Sequence, residues 1–323
     1  MTDNAKKNKF RSFLKRKDGN FMVRFVRAVI LNYKTYLLFL PAALVLFVFN
    51  YLPLAGMVVA FKKYYAKLGI FGSPWANPWY ENFTQLFNDP MFWKVLKNTV
   101  VITTTKLLVC FPMPILLALV FNEIKLKKFK RTVQTILYLP HFLSWVILAG
   151  IFNQVLGADG MVNAFLVKIG LSRIGFLTEN GAYFTFLILS DIWKNVGFAS
   201  ILYLAAIAAV DISLYEAAKI DGANRWRIMG KITLPSIVPT VVLQLILNVA
   251  GILSAGFGQI YNTYSSLVYD VADIIDTYVY RIGIKDGNFE FASALGVFKS
   301  VVGMVLVFVI NKIADKLTGE GVF

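Results

Sequence analysis

Four ionisable side chains lie inside long apolar runs, where a charge is costly. They are Lys106, Asp191, Lys194 and Lys299. A charge near the centre of a membrane helix costs about 2.5 to 3.5 kcal/mol on insertion scales, so each needs a partner, water or a route to the interface. Asp191 and Lys194 are three residues apart and are predicted to pair on one helical face. Such residues favour the binding of a polar ligand within a membrane.

The depth of these charges indicates a shared polar cavity. Lys106, Asp191 and Lys299 each lie about eight residues from the outer end of their run, or about 12 Å at 1.5 Å per residue. Two amides, Asn195 and Asn248, are able to hydrogen-bond a polar ligand nearby. We therefore predict a wet cavity that opens outward. The alternative is that the lysines reach the interface and the acid–base pair only locks helices together.

The whole chain has the composition of an integral membrane protein. Of its 323 residues, 58% are hydrophobic and 16% are charged, and the mean hydropathy is +0.64. These values lie outside the usual range of soluble domains, and several apolar runs are long enough to cross a ~30 Å hydrocarbon core. We read the formal charge of +15 as an adaptation to the lipid bilayer, and no nucleic-acid partner is predicted.

The chain has one cysteine and one histidine. Cys110 therefore has no partner for an intrachain disulfide, and neither a metal site nor a catalytic centre is predicted. His141, directly after Pro140, has two interpretations. It is either part of a proton relay or, as is more common for a lone histidine, a structural side chain.

Six membrane spans are predicted, at about 36–61, 98–121, 132–152, 183–210, 236–258 and 291–311. Both termini then lie on the same side as the second and fourth loops. These four segments hold 21 Lys and Arg against 8 Asp and Glu, whereas the other three loops hold 9 of each. Because basic residues accumulate in cytoplasmic loops, both termini are predicted to be cytoplasmic.

The predicted fold class is an all-α integral membrane protein with a membrane domain at residues 36–313. Residues 1–35 are predicted to form a basic cytoplasmic tail with an interfacial helix, because Arg24, Arg27 and Lys34 recur at helical spacing beside apolar residues. A merely basic juxtamembrane tail is the alternative. Residues 314–323 are predicted to form a second cytoplasmic tail.

The outer loop at about 259–290 contains Asp270, Asp273 and Asp276 at three-residue spacing among five tyrosines. The spacing predicts an acidic helical face that docks a partner. A solvated loop face is the alternative. A membrane-embedded transferase, a less favoured hypothesis, would have to use these acids because the loop holds the chain's main acidic cluster.

The stretch YEAAKIDGANRWRIMGKITLPSI, residues 215–237, is a mixed-charge segment between two apolar runs. Its first part favours helix, and Asp221 followed by Gly222 predicts a break that caps a second short helix. Pro235 then starts the next span. Such a pair of helices would expose Trp226 among charged residues. An apolar anchor surrounded by polar residues is typical of a protein interface. An ordinary amphipathic loop helix is the alternative.

This stretch resembles a known motif. Its EAA triplet, the glycine after a gap of three residues and the later I-LP residues match the EAA loop of permease subunits in binding-protein-dependent ATP-binding cassette (ABC) importers. Further similarity runs through YLPHFLSWVILAG, DIWKNVGFASILYLAAIAAVDISLYEAAKIDGA and IDTYVYRIG. These segments resemble carbohydrate permeases for oligosaccharides and polysaccharide fragments.

The resemblance implies the fold of a type I importer permease in a bacterial cell membrane, with cytoplasmic coupling helices at 211–235. The residues it places at the ATPase contact are Glu216, Ala217, Ala218, Asp221, Gly222, Trp226, Ile232, Leu234 and Pro235. Glu216 would be the polar contact, Gly222 would allow the turn, and Pro235 would transmit motion into the fifth span. The implied substrate pathway takes in Lys106, Asp191, Lys194, Asn195, Asn248 and Lys299.

The implied partners are a second permease in a heterodimer, two ATP-binding subunits and an extracytoplasmic solute-binding protein. ATP and Mg²⁺ are expected on the ATPase subunits because the chain has no P-loop. Gly230-Lys231 is followed by Ile232, and Arg225 stands where the motif needs its first glycine. The alternatives are an importer of another polar solute, a transferase, and an ion channel that conducts without an ATPase.

Overall fold

The computed structural model describes residues 29–318. Six of the described helices are long and apolar enough to cross a membrane: Tyr33–Phe61, Pro90–Glu123, Trp145–Lys168, Asn180–Ala208, Arg225–Val249 and Phe289–Lys312. The predicted all-α class with six membrane helices is confirmed. Most of the predicted interfacial helix and the end of the C-terminal tail lie outside the described residues.

The α-helices of eight residues or more are labelled in chain order. They are α1 (Tyr33–Leu46), α2 (Glu81–Asn88), α3 (Pro90–Thr105), α4 (Pro112–Glu123), α5 (Lys127–Tyr138), α6 (Trp145–Leu156), α7 (Met161–Lys168), α8 (Asn180–Ala208), α9 (Ile212–Ile220), α10 (Leu234–Ala250) and α11 (Phe289–Thr318). Shorter helices are Gly69–Gly72, Arg225–Ile228, Phe257–Thr263, Tyr269–Ala272 and Ile275–Tyr280.

The described part of the chain divides into two compact units, one that ends at residue 58 and one that begins at residue 59. In the described part of the first unit, α1 contains Pro41, which removes one backbone donor from the helix. The helical turns are wider than those of an α-helix at Phe47–Tyr51 and tighter over Leu52–Phe61. The remaining helices, with the cavity described below, belong to the second unit.

The fourth span, α8, is central to the second unit. Its buried residues are Tyr183, Phe186, Leu187, Ile188, Ser190, Lys194, Gly197, Ser200, Tyr203 and Ile207. It packs against α4, α5 and α10. A Cβ atom on Gly197 would lie 2.2 Å from the carbonyl oxygen of Leu137. Because that distance is far below a van der Waals contact, the crossing of α8 with α5 requires glycine.

The third span differs from the predicted run at 132–152. Helix α5 ends, a tight turn follows at Leu139–Phe142, and α6 begins. Pro140 accounts for the break because it has no amide hydrogen and disfavours helix in the residue before it. Ser144 then caps α6. The structure therefore places the third span at Trp145–Lys168.

The fifth span also differs, because α10 ends before the predicted limit of 236–258. The backbone turns through residues 251–256 before the helix Phe257–Thr263. Ala255 has φ 42° and Gly256 has φ 90°, and a left-handed alanine costs roughly 1 to 2 kcal/mol. The predicted fifth span therefore contains a break at residues 251–256.

Candidate functional site

The second span changes its helical geometry at Lys106. The regular helix α3 gives way to a wider turn at residues 106–110, closed by the Phe111 amide, which donates to the Lys106 carbonyl at 3.2 Å. Pro112 and Pro114 follow in α4 and have no amide hydrogen to continue the regular pattern. Wide turns of this kind often mark functional positions.

The ammonium group of Lys106 joins three parts of the second unit. Its Nζ lies 2.5 Å from Gln259 Oε1 and 3.1 Å from the Ala255 carbonyl oxygen. It also lies 3.7 Å from Asp191 Oδ1, and both side chains are largely buried, with 13% and 22% exposure. Gln259 in turn donates to the Leu187 carbonyl at 2.8 Å. These contacts hold together the second span, the fourth span and the break after α10 around the Lys106 side chain.

The structure contradicts the predicted pair of Asp191 with Lys194. The buried Lys194 donates instead to three carbonyl oxygens at the break in the third span, those of Pro140 (3.3 Å), His141 (2.8 Å) and Leu143 (2.5 Å). A helix break leaves carbonyls with fewer amide donors than a regular helix provides, and the ammonium group supplies further donors. Lys194 therefore connects the fourth span to the third, and Asp191 is left to pair with Lys106.

A cavity of about 790 Å³ lies beside the Lys106–Asp191 pair. Its polar lining includes Thr103, Lys106, Asp191, Asn195, Gln244, Asn248 and Ser254, and Phe111, Phe198, Leu202 and Tyr203 are among its apolar and aromatic lining. A few polar groups among apolar and aromatic walls are typical of small-molecule sites. The arrangement can accept a ligand with both hydroxyl groups and apolar faces.

The predicted pathway residues separate into two groups. Lys106, Asp191, Asn195 and Asn248 lie on the cavity wall, whereas Lys194 binds backbone elsewhere and Lys299 pairs with Asp276. Sequence reasoning did not single out Gln244 on the cavity wall or Gln259 behind it. In the sequence, each of these two glutamines is an isolated amide within or beside an apolar run, and this is the feature that could have identified them.

His141 lies behind this wall. Its Nδ1 is 3.2 Å from Asn195 Oδ1, and its ring stacks on Phe198 at 4.0 Å. Asn195 also donates to Asp191 Oδ1 at 3.1 Å. Because an amide separates the imidazole from the carboxylate, these contacts orient the wall and favour the structural interpretation of His141. Within residues 29–318, no group of three or more His, Cys, Asp or Glu side chains is placed to hold a metal ion.

The three aspartates of the outer loop do not form one acidic face. Asp270 pairs with Lys94, Asp273 with Arg281, and Asp276 with Lys299. Asp273 is fully buried. Burial disfavours the charge of Arg281, but the hydrogen bonds and charge of Asp273 outweigh it and raise the pKa of Arg281. Asp270 and Asp276 join the loop to α3 and α11, and Asp273 pairs within the loop, so the predicted acidic docking face is wrong.

The stretch at 215–237 forms two helices joined by a turn. Helix α9 ends before Asp221, and Gly222 has φ 72°, a conformation suited to glycine. The second helix, Arg225–Ile228, is capped by Asn224 and not by the predicted Asp221. Asn224 Oδ1 accepts from the amide three residues on, at 2.9 Å. This capping fixes where the second helix begins.

The surface of this stretch is largely exposed. Trp226 is 78% exposed, and Glu216 and Ala217 are exposed beside partly buried Ala218. Of the remaining predicted contact residues, Asp221, Gly222, Leu234 and Pro235 are exposed and Ile232 is partly buried. The Tyr215 hydroxyl lies 3.2 Å from Thr233 Oγ1. This contact joins the start of the stretch to its end, and the stretch presents an indole and a carboxylate.

Comparisons with known proteins identify a family. Residues 111–319 match the model of the binding-protein-dependent transport system inner membrane component. The chain is 42% identical over 312 residues to the polygalacturonan/rhamnogalacturonan transport system permease protein YteP of Bacillus subtilis (strain 168), covering 96% of this chain and 95% of that protein. It is also 42% identical to protein LplB of the same organism, covering 89% and 90%.

Solved structures give the same result. A bacterial ABC transporter involved in the import of the acidic polysaccharide alginate contains a chain with 40% identity and a TM-score of 0.83, covering 91% of this chain and 99% of that one. The bacterial alginate ABC transporter in complex with alginate pentasaccharide-bound periplasmic protein gives 39% identity and a TM-score of 0.84, covering 93% and 100%.

Proposed function

The chain belongs to the family of binding-protein-dependent transport system inner membrane components, and from this premise we propose which solute it carries and how it is driven. It is a multi-pass membrane permease and not an enzyme. With a second, different permease it forms the membrane path for an oligosaccharide or polysaccharide fragment, which an extracytoplasmic solute-binding protein delivers. The cavity beside the Lys106–Asp191 pair carries this proposal.

The cavity chemistry suits a saccharide. Asn195, Gln244 and Asn248 offer hydrogen-bond donors and acceptors to hydroxyl groups, and Phe198 and Tyr203 offer apolar faces. YteP and LplB are 42% identical to the chain over most of its length, and the name of YteP specifies polygalacturonan and rhamnogalacturonan. The similar solved structures belong to an importer of alginate.

The stretch at 211–235 is the proposed coupling element. Exposed Trp226 and Glu216 contact an ATP-binding subunit, which holds the ATP and Mg²⁺. Ala217 and Ala218 permit close approach, and Pro235 lies where motion enters the fifth span. The stretch lies on the cytoplasmic side together with both termini, as the distribution of basic residues favours.

Reconstitution of the complete transporter tests this function. In vesicles that contain both permeases and the ATPase subunits, binding protein loaded with galacturonan oligosaccharide should stimulate ATP hydrolysis and saccharide uptake. Unchanged hydrolysis after addition of loaded binding protein would contradict the importer assignment. Stimulation by another class of solute alone would contradict the saccharide assignment.

The variant Glu216→Ala tests the coupling element separately. It should remain inserted in the membrane but either release the ATPase subunits or hydrolyse ATP without uptake, because truncating one partner of a charged interface contact is costly. Lys219→Ala, an exposed change one helical turn away, is the matched control. Intact coupled transport by Glu216→Ala would remove Glu216 from the mechanism.

A further inference from the structure

A row of aromatic rings begins where the cavity wall ends. The wall reaches Gly256, and Phe257 is the first residue of the helix Phe257–Thr263. Phe257, Tyr261 and Tyr264 recur at intervals of four and three residues, which places them on one helical face. All three are partly exposed. The opposite face is buried through Gln259, Ile260 and Thr263.

Two further tyrosines extend this row into the aromatic track, defined as Phe257, Tyr261, Tyr264, Tyr269 and Tyr280. Phe257 stacks on Tyr261 with centroids 5.2 Å apart, and Tyr280 lies edge-on to Tyr261 at 4.8 Å. Tyr264 follows at 6.3 Å from Tyr261 and stacks on Tyr269 at 5.0 Å. The ring contacts are therefore continuous from the cavity rim across the outer loop.

The aromatic track is held rigidly from behind. Gln259, on the buried face of the same helix, accepts from Lys106 at 2.5 Å, and Thr263 lies 2.8 Å from the Tyr183 hydroxyl. The guanidinium carbon of Arg281 lies 4.9 Å from the ring centre of Tyr269. Rings fixed in this way lose little conformational entropy when a ligand binds. Each offers an apolar face, and the four tyrosines also offer a hydroxyl group.

We propose that the aromatic track is a second saccharide subsite, which binds the trailing sugar rings of a chain whose leading end occupies the cavity. This inference rests on the proposed function. Sugar rings present apolar C–H faces that stack on aromatic rings and hydroxyl groups that bond to tyrosine oxygens. From Phe257 to Tyr264 the helix rises about 10 Å, which is longer than a single sugar ring.

A subsite outside the cavity predicts a dependence on chain length. We would measure vesicle uptake by the complete transporter for short and long members of galacturonan, alginate and arabinan oligosaccharide series, delivered by the binding protein. The double variant Tyr261→Ala/Tyr264→Ala should raise the half-maximal concentration for the long member about tenfold, with less than a twofold change for the disaccharide. Tyr261→Phe keeps the stacking ring and loses only the hydroxyl, so it should raise this concentration by less than about threefold. Phe71→Ala, at a 90% exposed position outside the track, is the control.

Each outcome is decisive. Equal losses for short and long saccharides would overturn the inference and assign the rings to packing or to the contact with the second permease, which co-purification of the subunits would report. No change for either saccharide would also overturn it, while the proposed function would stand. No wild-type uptake from any series would overturn the saccharide function and the subsite together.

Discussion

The coupling stretch and the cavity wall are built in opposite ways. At the stretch, Trp226 is 78% exposed, and the contacts that shape it are local, such as the Asn224 cap. At the wall, Lys106 is 13% exposed and binds the Ala255 carbonyl, 149 residues away in sequence. The proposed docking surface is shaped mainly by contacts within the stretch, whereas the proposed pathway wall is held by contacts between distant parts of the chain.

This difference predicts different consequences of mutation. Changes on the coupling stretch should leave the chain folded and alter its assembly. Changes on the cavity wall should leave assembly intact and alter stability or transport. The variants below are ordered by the free energy that we expect each to change.

Trp226→Ala should have the largest effect. An exposed indole at the centre of an interface is a typical hot spot, so its loss should weaken ATPase binding by about 3 kcal/mol, more than a hundredfold in affinity. Unfolding of the isolated permease should change by less than about 0.5 kcal/mol. Titration of ATPase subunits onto the permease in nanodiscs measures the first quantity. A similar loss in Phe71→Ala, another exposed aromatic, would show that the effect is nonspecific.

Lys106→Met should have the next largest effect, on stability and not on assembly. It leaves Gln259 Oε1 and the Ala255 carbonyl without a charged donor, for a loss of about 2 kcal/mol in unfolding free energy. Denaturant unfolding in detergent measures this loss. Lys97→Met, an exposed lysine on α3, should change by less than about 0.5 kcal/mol. Equal effects of the two variants would refute the stabilising role of the Lys106 contacts with Gln259 and Ala255.

The same contrast explains what the sequence could predict. The EAA motif, Gly222 and Trp226 lie within a few residues of one another, so spacing alone indicated two short helices. The cavity wall combines the second, fourth and fifth spans. The sequence identified Lys106 and Asp191 as charges in need of partners, but one-dimensional spacing favoured Lys194 as the neighbour of Asp191.

The packing of the helices determines that Asp191 pairs with Lys106 and not with Lys194. The long side chain of Lys194 reaches the carbonyls at the break near Pro140 and donates to them. The break at residues 251–256 could not be predicted from the sequence either. A run of small residues is compatible with a close helix crossing as well as with a left-handed turn. Its location depends on contacts such as that of the Ala255 carbonyl with Lys106.

Asp191→Asn distinguishes the Lys106–Asp191 pair from the Lys299–Asp276 pair. Asp191 lies on the cavity wall, so its neutralisation should lower uptake about tenfold, equivalent to about 1.4 kcal/mol, with normal ATPase assembly. Asp276 pairs with Lys299 outside the cavity, and Asp276→Asn should leave uptake within about twofold. Loss of folded protein in Asp191→Asn would assign the carboxylate a structural role instead.

Gly222→Ala should have the smallest effect, and it tests whether the angle between the two coupling helices matters. At φ 72° a side chain costs roughly 1 kcal/mol, so ATPase affinity should fall about fivefold if the turn must keep this conformation. Gly222→Asn should lose less, because asparagine tolerates the left-handed region. Gly230→Ala is the matched control, since a Cβ there meets no atom within 4 Å and its φ is not left-handed. If Gly222→Ala binds the ATPase as wild type does, the turn is only a connection, and recognition depends on the exposed side chains alone.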